Sequence, residues 1–224
     1  MGIQTTANKT RVLDPMAGTC TSKALPMVVV YRGLGPETGP SYNWDTADWM
    51  IRQIQKAMPK ELLSKAIWVV PDDYRVDCGM CLHQAEQLIG KDRIISFYSL
   101  CGFSRGGQCV YKYLRLRAWD ILGLIDPVSP TMEGYKNDVM DGFASAIRCV
   151  YNIRNWGKPP KEGKRRESWT KGEKNYETLT TFYDYLEDLD VNMVDAMDLQ
   201  HPDTNNHAEM PALFFKTYGW ELTQ

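Results

Sequence analysis

Continuous apolar runs recur along the chain, and stretches with a helical spacing of apolar positions separate them. Five runs predict strands, at 27–35 (MVVVYRGLG), 65–74 (KAIWVVPDDY), 94–101 (IISFYSLC), 121–128 (ILGLIDPV) and 147–153 (IRCVYNI). Runs that are apolar at successive positions are typical of parallel strands covered on both faces. Helical patterns occur at 45–63, 83–90, 104–119, 136–147, 179–189 and 210–220.

This alternation predicts an α/β fold, specifically a three-layer α/β/α sandwich with a mostly parallel central sheet and a small or minimal cap. A length of 224 residues fits one domain spanning 1–224. Residues 1–24 are polar and predict an irregular lead-in. Asp45 is the expected N-cap of the first helix, and Pro59 is expected to interrupt that helix.

The composition is that of an ordinary globular protein, with 43% apolar and 24% charged residues and a net charge of −2. Such a balance provides no general attraction to nucleic acid or to a membrane. The first residues contain no apolar signal region, and no apolar run is long enough to span a bilayer. We therefore expect a cytoplasmic protein without a membrane span.

Six cysteines are present, and two of them form a Cys78-Gly-Met-Cys81 motif close to His83. A zinc site would need a second pair of ligands, which the surrounding sequence does not supply. The cysteines are therefore expected to be free thiols in a reducing compartment. We expect no metal site and no cofactor.

The segment 155–178 is the one long polar stretch in the second half of the chain. Its residues 155–175 contain seven Lys or Arg against three Glu. Such a segment is either a solvated loop or an insertion that acts as a lid or grips an acidic group.

The sequence GFSRGG at 102–107 follows an apolar run and precedes a helical pattern. A G-x-S-x-G sequence in this context predicts a sharp strand-to-helix turn that presents the serine above the sheet. Glycines two residues before and after Ser104 keep side chains out of a crowded turn.

At GFSRGG, and in the order Ser…Asp…His along the chain, the sequence resembles the esterase- and lipase-like members of the α/β-hydrolase superfamily. The resemblance covers about 27–215, mostly as an order of elements. It implies that Ser104 is a nucleophile and that the catalytic histidine comes last in the chain. His207, directly before a helical stretch, is favoured over His201, and His83 precedes the serine.

The third member of such a triad orients the histidine. Asp126 ends an apolar strand run, in one of the two positions where the superfamily places its acid, and the other position has no carboxylate nearby. Asp195 and Asp198 are the alternatives.

The resemblance also implies an oxyanion site made by two backbone amides, those of Arg105 and Leu34. The loop at 31–35 resembles a His-Gly-x turn, with Arg32 in the place of the histidine and Gly33 beside it. Arg32 and Gly33 are therefore expected to bind substrate. Alternatively, Arg32 and Arg105 pair with carboxylates such as Asp72 or Asp73.

These features predict a serine hydrolase that cleaves a carboxylic ester or thioester of a small-molecule acyl substrate through an acyl-enzyme. The alternative is a catalytically inactive binding or scaffold protein with the same fold. Binding of nucleic acid is not expected, because no motif for it is present. The sequence leaves the oligomeric state open.

Overall fold

The structure is a computed structural model that describes residues 2–18, 23–33, 46–90, 92–114, 116–127, 147–153, 161–170, 173, 177, 192–195 and 207–224. Eight strands in these ranges form one sheet, with the order β1-β2-β4-β3-β5-β6-β7-β8. Their bounds are β1 Gly2–Thr5, β2 Arg11–Asp14, β3 Leu25–Tyr31, β4 Ile67–Val70, β5 Ile95–Phe103, β6 Ile121–Ile125, β7 Cys149–Ile153 and β8 Asn192–Asp195.

The sheet is mostly parallel. Strand β1 pairs antiparallel with β2, and β2 pairs antiparallel with β4. All the other neighbours, from β4 and β3 through to β7 and β8, are parallel. The carboxyl ends of β3 to β8 therefore lie along one edge, which is where open α/β sheets bind their ligands.

The helices of the described ranges are α1 Ala47–Ala57, α2 Lys60–Leu63, α3 Cys78–Ile89, α4 Gly106–Tyr113 and α5 Met210–Tyr218. Short 3-10 helices occur at Arg166–Ser168, His207–Glu209 and Glu221–Thr223. None of the described helices is long and apolar enough to cross a membrane.

Two apolar layers sandwich the sheet. On one face, buried residues of α3 and α4, such as Leu82 and Val110, pack against Val29 and Leu124 of the strands. On the other face, α1 and α5 cover the sheet with residues that include Ile54 and Phe214. This arrangement confirms the predicted three-layer α/β/α fold.

The continuous apolar runs are confirmed as β3 to β7, with shifted ends. Strand β5 extends to Phe103, two residues beyond the predicted run, because its last residues still pair with β6. The helix that follows Ser104 ends at Tyr113, earlier than predicted, while α3 begins at Cys78, earlier than the predicted start at residue 83. Pro59 separates α1 from α2, as expected.

Three expectations were wrong or incomplete. Residues 1–24 are not only an irregular lead-in, because β1 and β2 form an antiparallel pair that extends the sheet beyond β4. The N-cap of α1 is Thr46 rather than Asp45, since the Thr46 hydroxyl accepts a hydrogen bond from the Trp49 amide at 3.1 Å. Strand β8 was not predicted. The predicted helices at 136–147 and 179–189 lie outside the described residues, apart from residue 147, which is not helical.

Candidate active site

Ser104 occupies the turn between β5 and α4, and its backbone is in the left-handed region with φ of 51°. The Ser104 amide donates to the Ile125 carbonyl at 3.0 Å, which continues the β5–β6 ladder into the turn. The residue is 7% exposed, so this polar side chain lies within the protein rather than on its outer surface. A left-handed serine between a strand and a helix is the geometry of a nucleophile elbow.

The two flanking glycines have a steric cause that the structure makes explicit. A Cβ atom built on Gly102 would lie 2.1 Å from the Gly106 carbonyl oxygen. One built on Gly106 would lie 2.5 Å from the Tyr31 carbonyl oxygen and 2.6 Å from that of Arg32. The start of α4 therefore presses directly on the ends of β5 and β3, and only glycine fits at both contacts.

The loop after β3 reaches the serine through Gly33. A Cβ atom on Gly33 would lie 2.8 Å from the Ser104 Cβ and 3.2 Å from the Phe103 ring. The Phe103 ring in turn packs against Trp49 at a centroid distance of 5.7 Å. The predicted oxyanion loop thus begins in direct contact with the candidate nucleophile.

Asp126 follows β6 at the same edge of the sheet. Phe103 pairs with Ile125, so Ser104 and Asp126 each come directly after paired residues of neighbouring strands. Asp126 is 3% exposed, has φ of 41°, and its amide donates to the Ile153 carbonyl at 2.6 Å. Asp126 is thus a buried residue at the end of the strand next to the one that carries Ser104.

The alternative acid Asp195 is the last residue of β8, and its backbone pairs with Asn152 of β7. Three strand spacings separate β8 from β5, which corresponds to about 14 Å across the sheet. Asp198, His201 and Leu34 lie outside the described residues.

His207 is the first residue of the 3-10 helix that leads into α5, and the structure describes its backbone but not its side chain.

Arg105 is exposed at the N-cap position of α4. His83, which precedes the serine in the chain, is exposed on α3, with its Nε2 atom 2.9 Å from Gln87 Nε2.

Arg32, expected to bind substrate, is buried and bound to the protein. Its Nη1 atom donates to the Gly33 carbonyl at 2.7 Å, and its Nε atom donates to the Asp72 carbonyl. Its Nη2 atom lies 3.5 Å from Asp73 Oδ2. The ion pair with Asp73 is one of the two arrangements that the sequence left open.

The Asp73 carboxylate also binds Arg75, whose Nη2 atom lies 2.9 Å away. Hydrogen bonds from the Arg75 side chain and backbone, aided by the charge of Arg32, hold the pKa of Asp73 below its usual value against the effect of partial burial. The carboxylate is therefore ionised at neutral pH, and it anchors the loop between β4 and α3 to the loop after β3.

Three buried cysteines, Cys78 and Cys81 of α3 and Cys109 of α4, belong to the apolar core on one face of the sheet. Thr10 Oγ1 is 3.3 Å from Cys81 Sγ, and Cys109 Sγ donates to the Tyr74 carbonyl at 2.9 Å. Burial raises the pKa of Cys78 and Cys81, and it raises that of Cys109 to about 12. Within the described part of the chain, no group of His, Cys, Asp and Glu side chains has an arrangement that could hold a metal ion.

No family model matches the chain, and no curated protein does. Solved structures do match. An IroE-like serine hydrolase from Shewanella oneidensis aligns with a TM-score of 0.56 at 11% identity, over 96% of this chain and 75% of that one. The siderophore hydrolase EstB from Aspergillus nidulans aligns with a TM-score of 0.50 at 12% identity, over 99% of this chain and 94% of that one.

A third match extends the likeness to a larger protein. The acylaminoacyl peptidase of Pyrococcus horikoshii aligns with a TM-score of 0.53 at 12% identity, over 96% of this chain and 39% of that one. The three proteins share one architecture, and it is the one described above. The chain has the α/β-hydrolase fold.

Within this α/β-hydrolase fold, the predicted basic insertion is partly described. Lys164 Nζ lies 2.6 Å from Glu173 Oε2, and Arg166 Nε lies 3.0 Å from Glu177 Oε2. The Trp169 indole donates to the Lys164 carbonyl at 2.9 Å. Two of the four cationic side chains in 161–170 are thus paired with acidic residues of the same segment, which reduces the charge available for an acidic ligand.

Sequence reasoning identified the serine turn and the strand end at Asp126, and it named an ion pair with Asp73 as one of two possibilities for Arg32. It missed the hydrogen bonds from Arg32 to backbone carbonyl groups. The residue type alone does not show whether an arginine is buried and bound to carbonyl groups or exposed and available to bind a substrate. The partner carbonyl belongs to Asp72, 40 residues later in the chain. The signal that could have found it is the position of both loops at the ends of neighbouring parallel strands.

Proposed function

We propose that this α/β-hydrolase fold is a serine hydrolase that cleaves a carboxylic ester or thioester of a small acyl substrate. Ser104 is the nucleophile, His207 the base and Asp126 the acid that orients it. The observation that carries the proposal is the left-handed Ser104 turn, with Gly33 packed against it and Asp126 at the end of the adjacent strand.

In the proposed reaction, Ser104 Oγ attacks the acyl carbon while its proton passes to His207. The bond from the acyl carbon to the leaving oxygen or sulfur then breaks, and His207 returns the proton to the leaving group. Water attacks the acyl-enzyme with His207 again as the base, which releases the carboxylic acid and restores Ser104. Amides of Arg105 and Leu34 stabilise the negative oxygen of each tetrahedral intermediate.

One of the solved structures described above is named a serine hydrolase and another a siderophore hydrolase, which supports hydrolase chemistry here. The described cysteines are free thiols, in keeping with the reducing cytoplasm that we propose as the location.

Hydrolysis of p-nitrophenyl esters with acyl chains of increasing length, together with an acyl thioester, tests the proposal. We expect turnover with at least one of these substrates and a loss of about 10⁴-fold or more in the Ser104→Ala variant. Turnover that survives in Ser104→Ala would contradict the proposal, because the activity would then arise elsewhere.

A catalytically inactive binding protein with this fold is the second candidate. The observation in its favour is Arg32, which stands where the resemblance predicts a histidine in the oxyanion loop. Absence of hydrolysis across the whole ester and thioester series, with a folded wild-type protein, would favour this second candidate.

A further inference from the structure

An open groove of about 450 Å³ is lined by the second half of α3, the turn that follows it and the first residues of β5. A volume of this size falls in the range of small-molecule sites, about 300–1,000 Å³. The lining residues all lie in the described ranges. Those that bear on its chemistry are Glu86, Gln87, Ile89, Arg93, Ile95 and Tyr98.

This α3–β5 groove is separate from the candidate active site. Strand β5 runs from Ile95 to Phe103, so the groove lies at its amino end while Ser104 follows its carboxyl end. At about 3.3 Å per residue, the two ends are about 26 Å apart. A ligand in the groove is therefore out of reach of Ser104.

The groove has an apolar component. Ile89, Ile95 and Tyr98 are partly buried and pack against the apolar core that α3 and α4 form with the sheet. The Tyr98 hydroxyl donates to Glu86 Oε1 at 3.3 Å, so the polar end of this side chain already has a partner. Covering the remaining apolar surface of these three side chains favours a ligand with an apolar body.

Arg93 adds a polar group with unused hydrogen-bonding capacity. Its side chain is 7% exposed, and its Nη2 atom donates to Asp14 Oδ2 at 2.9 Å and to the Met16 carbonyl at 2.6 Å. Its Nη1 atom is buried and has no hydrogen-bond partner among the described residues. Buried donors in proteins are nearly always paired, so an acceptor placed against Arg93 would supply a missing partner.

The charges around the groove favour a neutral ligand. The positive charge of Arg93 is matched by Asp14, which is 2% exposed and 2.9 Å away. Glu86 adds a negative charge to the lining, and Arg117 lies 4.0 Å from it. The groove thus has no surplus positive charge to attract an anion, whereas a neutral acceptor can use the Arg93 donor without repulsion from Glu86.

We propose that the α3–β5 groove binds a small neutral molecule that has a ring-sized apolar body and one acceptor oxygen, such as a carbonyl group. The oxygen accepts a hydrogen bond from Arg93, and the body covers Ile89, Ile95 and Tyr98. This binding site goes beyond the proposed hydrolase function and does not depend on it.

The first test titrates the ¹⁵N-labelled full chain with acetophenone and follows the backbone amides by two-dimensional NMR. We expect saturable shifts at Gly90, Arg93 and Ile95, with a dissociation constant of about 1 mM or lower. The amides of Ser104 and Gly106 should not shift. Benzoate is similar in size but anionic, and it should bind at least about fivefold more weakly.

A matched pair of variants tests the location. Gln87 is exposed on α3 and lines the groove, so Gln87→Trp should fill part of it and abolish acetophenone binding. Gln55 is exposed on α1, which covers the other face of the sheet. Gln55→Trp should therefore bind acetophenone as the wild-type protein does.

Arg93→Lys tests the hydrogen bond, because lysine keeps a charge beside Asp14 and removes the guanidinium. Acetophenone affinity should fall about fivefold or more. The affinity of α-methylstyrene, which has a CH₂ group in place of the carbonyl oxygen, should change less than about twofold. Circular dichroism and the melting temperature verify that each variant is folded.

Four results would overturn the inference. They are no saturable shift at the groove amides, shifts confined to Ser104 and Gly106, tighter binding of benzoate than of acetophenone, and unchanged acetophenone affinity in folded Arg93→Lys. Should Arg93→Lys not fold, the benzoate comparison and the two tryptophan variants decide the question.

Discussion

Strained backbone conformations occur at two of the residues that we assign to the candidate active site, Ser104 and Asp126. Among the described residues, three other than glycine have a positive φ, and two of them are Ser104 and Asp126. A side chain in the left-handed conformation costs roughly 1–2 kcal/mol. Both residues directly follow paired positions of neighbouring strands, so this cost is concentrated at one point of the sheet edge.

The strain at Ser104 predicts an unusual order of stability. Ser104→Gly should be more stable than Ser104→Ala by roughly 1 kcal/mol, because glycine adopts a positive φ without a Cβ penalty. Urea unfolding of the two variants measures the difference. At Ser64, which has φ of −76°, the same pair of substitutions should give the opposite order. An alanine variant at 104 as stable as the glycine variant would contradict the strained turn.

At the level of single residues, the sequence predicted the structure where the spacing of glycines around Ser104 requires one particular turn. The glycines of GFSRGG were expected to relieve crowding, and the contacts at Gly102 and Gly106 give the cause. The N-cap of α1 failed for a local reason, since Asp45 and Thr46 are adjacent and both have suitable side chains. The hydrogen bond to the Trp49 amide decides in favour of Thr46.

At the scale of elements, the strand that a carboxylate follows determines how far it lies from Ser104, and therefore whether it can orient the histidine of a triad with Ser104. Asp126 directly follows β6, the strand next to the one that carries Ser104, whereas Asp195 is the last residue of β8. We therefore expect Asp126→Asn to lower kcat about 10²- to 10⁴-fold. Asp195→Asn should leave kcat within about threefold, given the distance of about 14 Å across the sheet.

Steady-state kinetics on the two asparagine variants, with circular dichroism to verify folding, checks this assignment. Asparagine preserves the size of the side chain and removes its charge, so the two substitutions are chemically matched. A large loss in Asp195→Asn with little change in Asp126→Asn would assign the acid to β8.

The strands that could be predicted are those whose sequence alone shows double-sided burial. Strands β3 to β7 are continuous apolar runs, and each is buried along most of its length. Strand β1 (GIQT) is short and mostly exposed, and it is a strand because β2 pairs with it. Pairing of this kind is a tertiary effect that local apolar pattern does not reveal.

At the scale of the whole molecule, the site depends on strand order. Gly33, Ser104 and Asp126 are far apart in the chain, but β3, β5 and β6 are adjacent in the sheet. The resemblance implied this gathering, and the parallel registers of the three strands produce it. The hydrogen bonds from Arg32 to the Gly33 and Asp72 carbonyl groups could not be predicted, because they depend on the approach of two loops that only the folded sheet brings together.

The burial of the cysteines in the core predicts that their thiols react slowly in the native protein. Burial raises the pKa of all five described cysteines: Cys78, Cys81, Cys101, Cys109 and Cys149. Because the thiolate is the reactive form, these cysteines should resist alkylation by iodoacetamide in the native protein at pH 8. Peptide mapping should show all of them modified after denaturation. Rapid native labelling of Cys78 or Cys81 would contradict the buried cluster between α3 and α4.

The most direct test of the central claim is to treat the native protein with a fluorophosphonate probe and to map the modified residue by mass spectrometry. An activated serine reacts with such a probe, whereas ordinary serine hydroxyls do not. The account predicts modification at Ser104 that is lost on heat denaturation and absent from Ser104→Ala. A folded wild-type protein that stays unmodified, or that is modified at another serine, would contradict the assignment of Ser104 as the nucleophile.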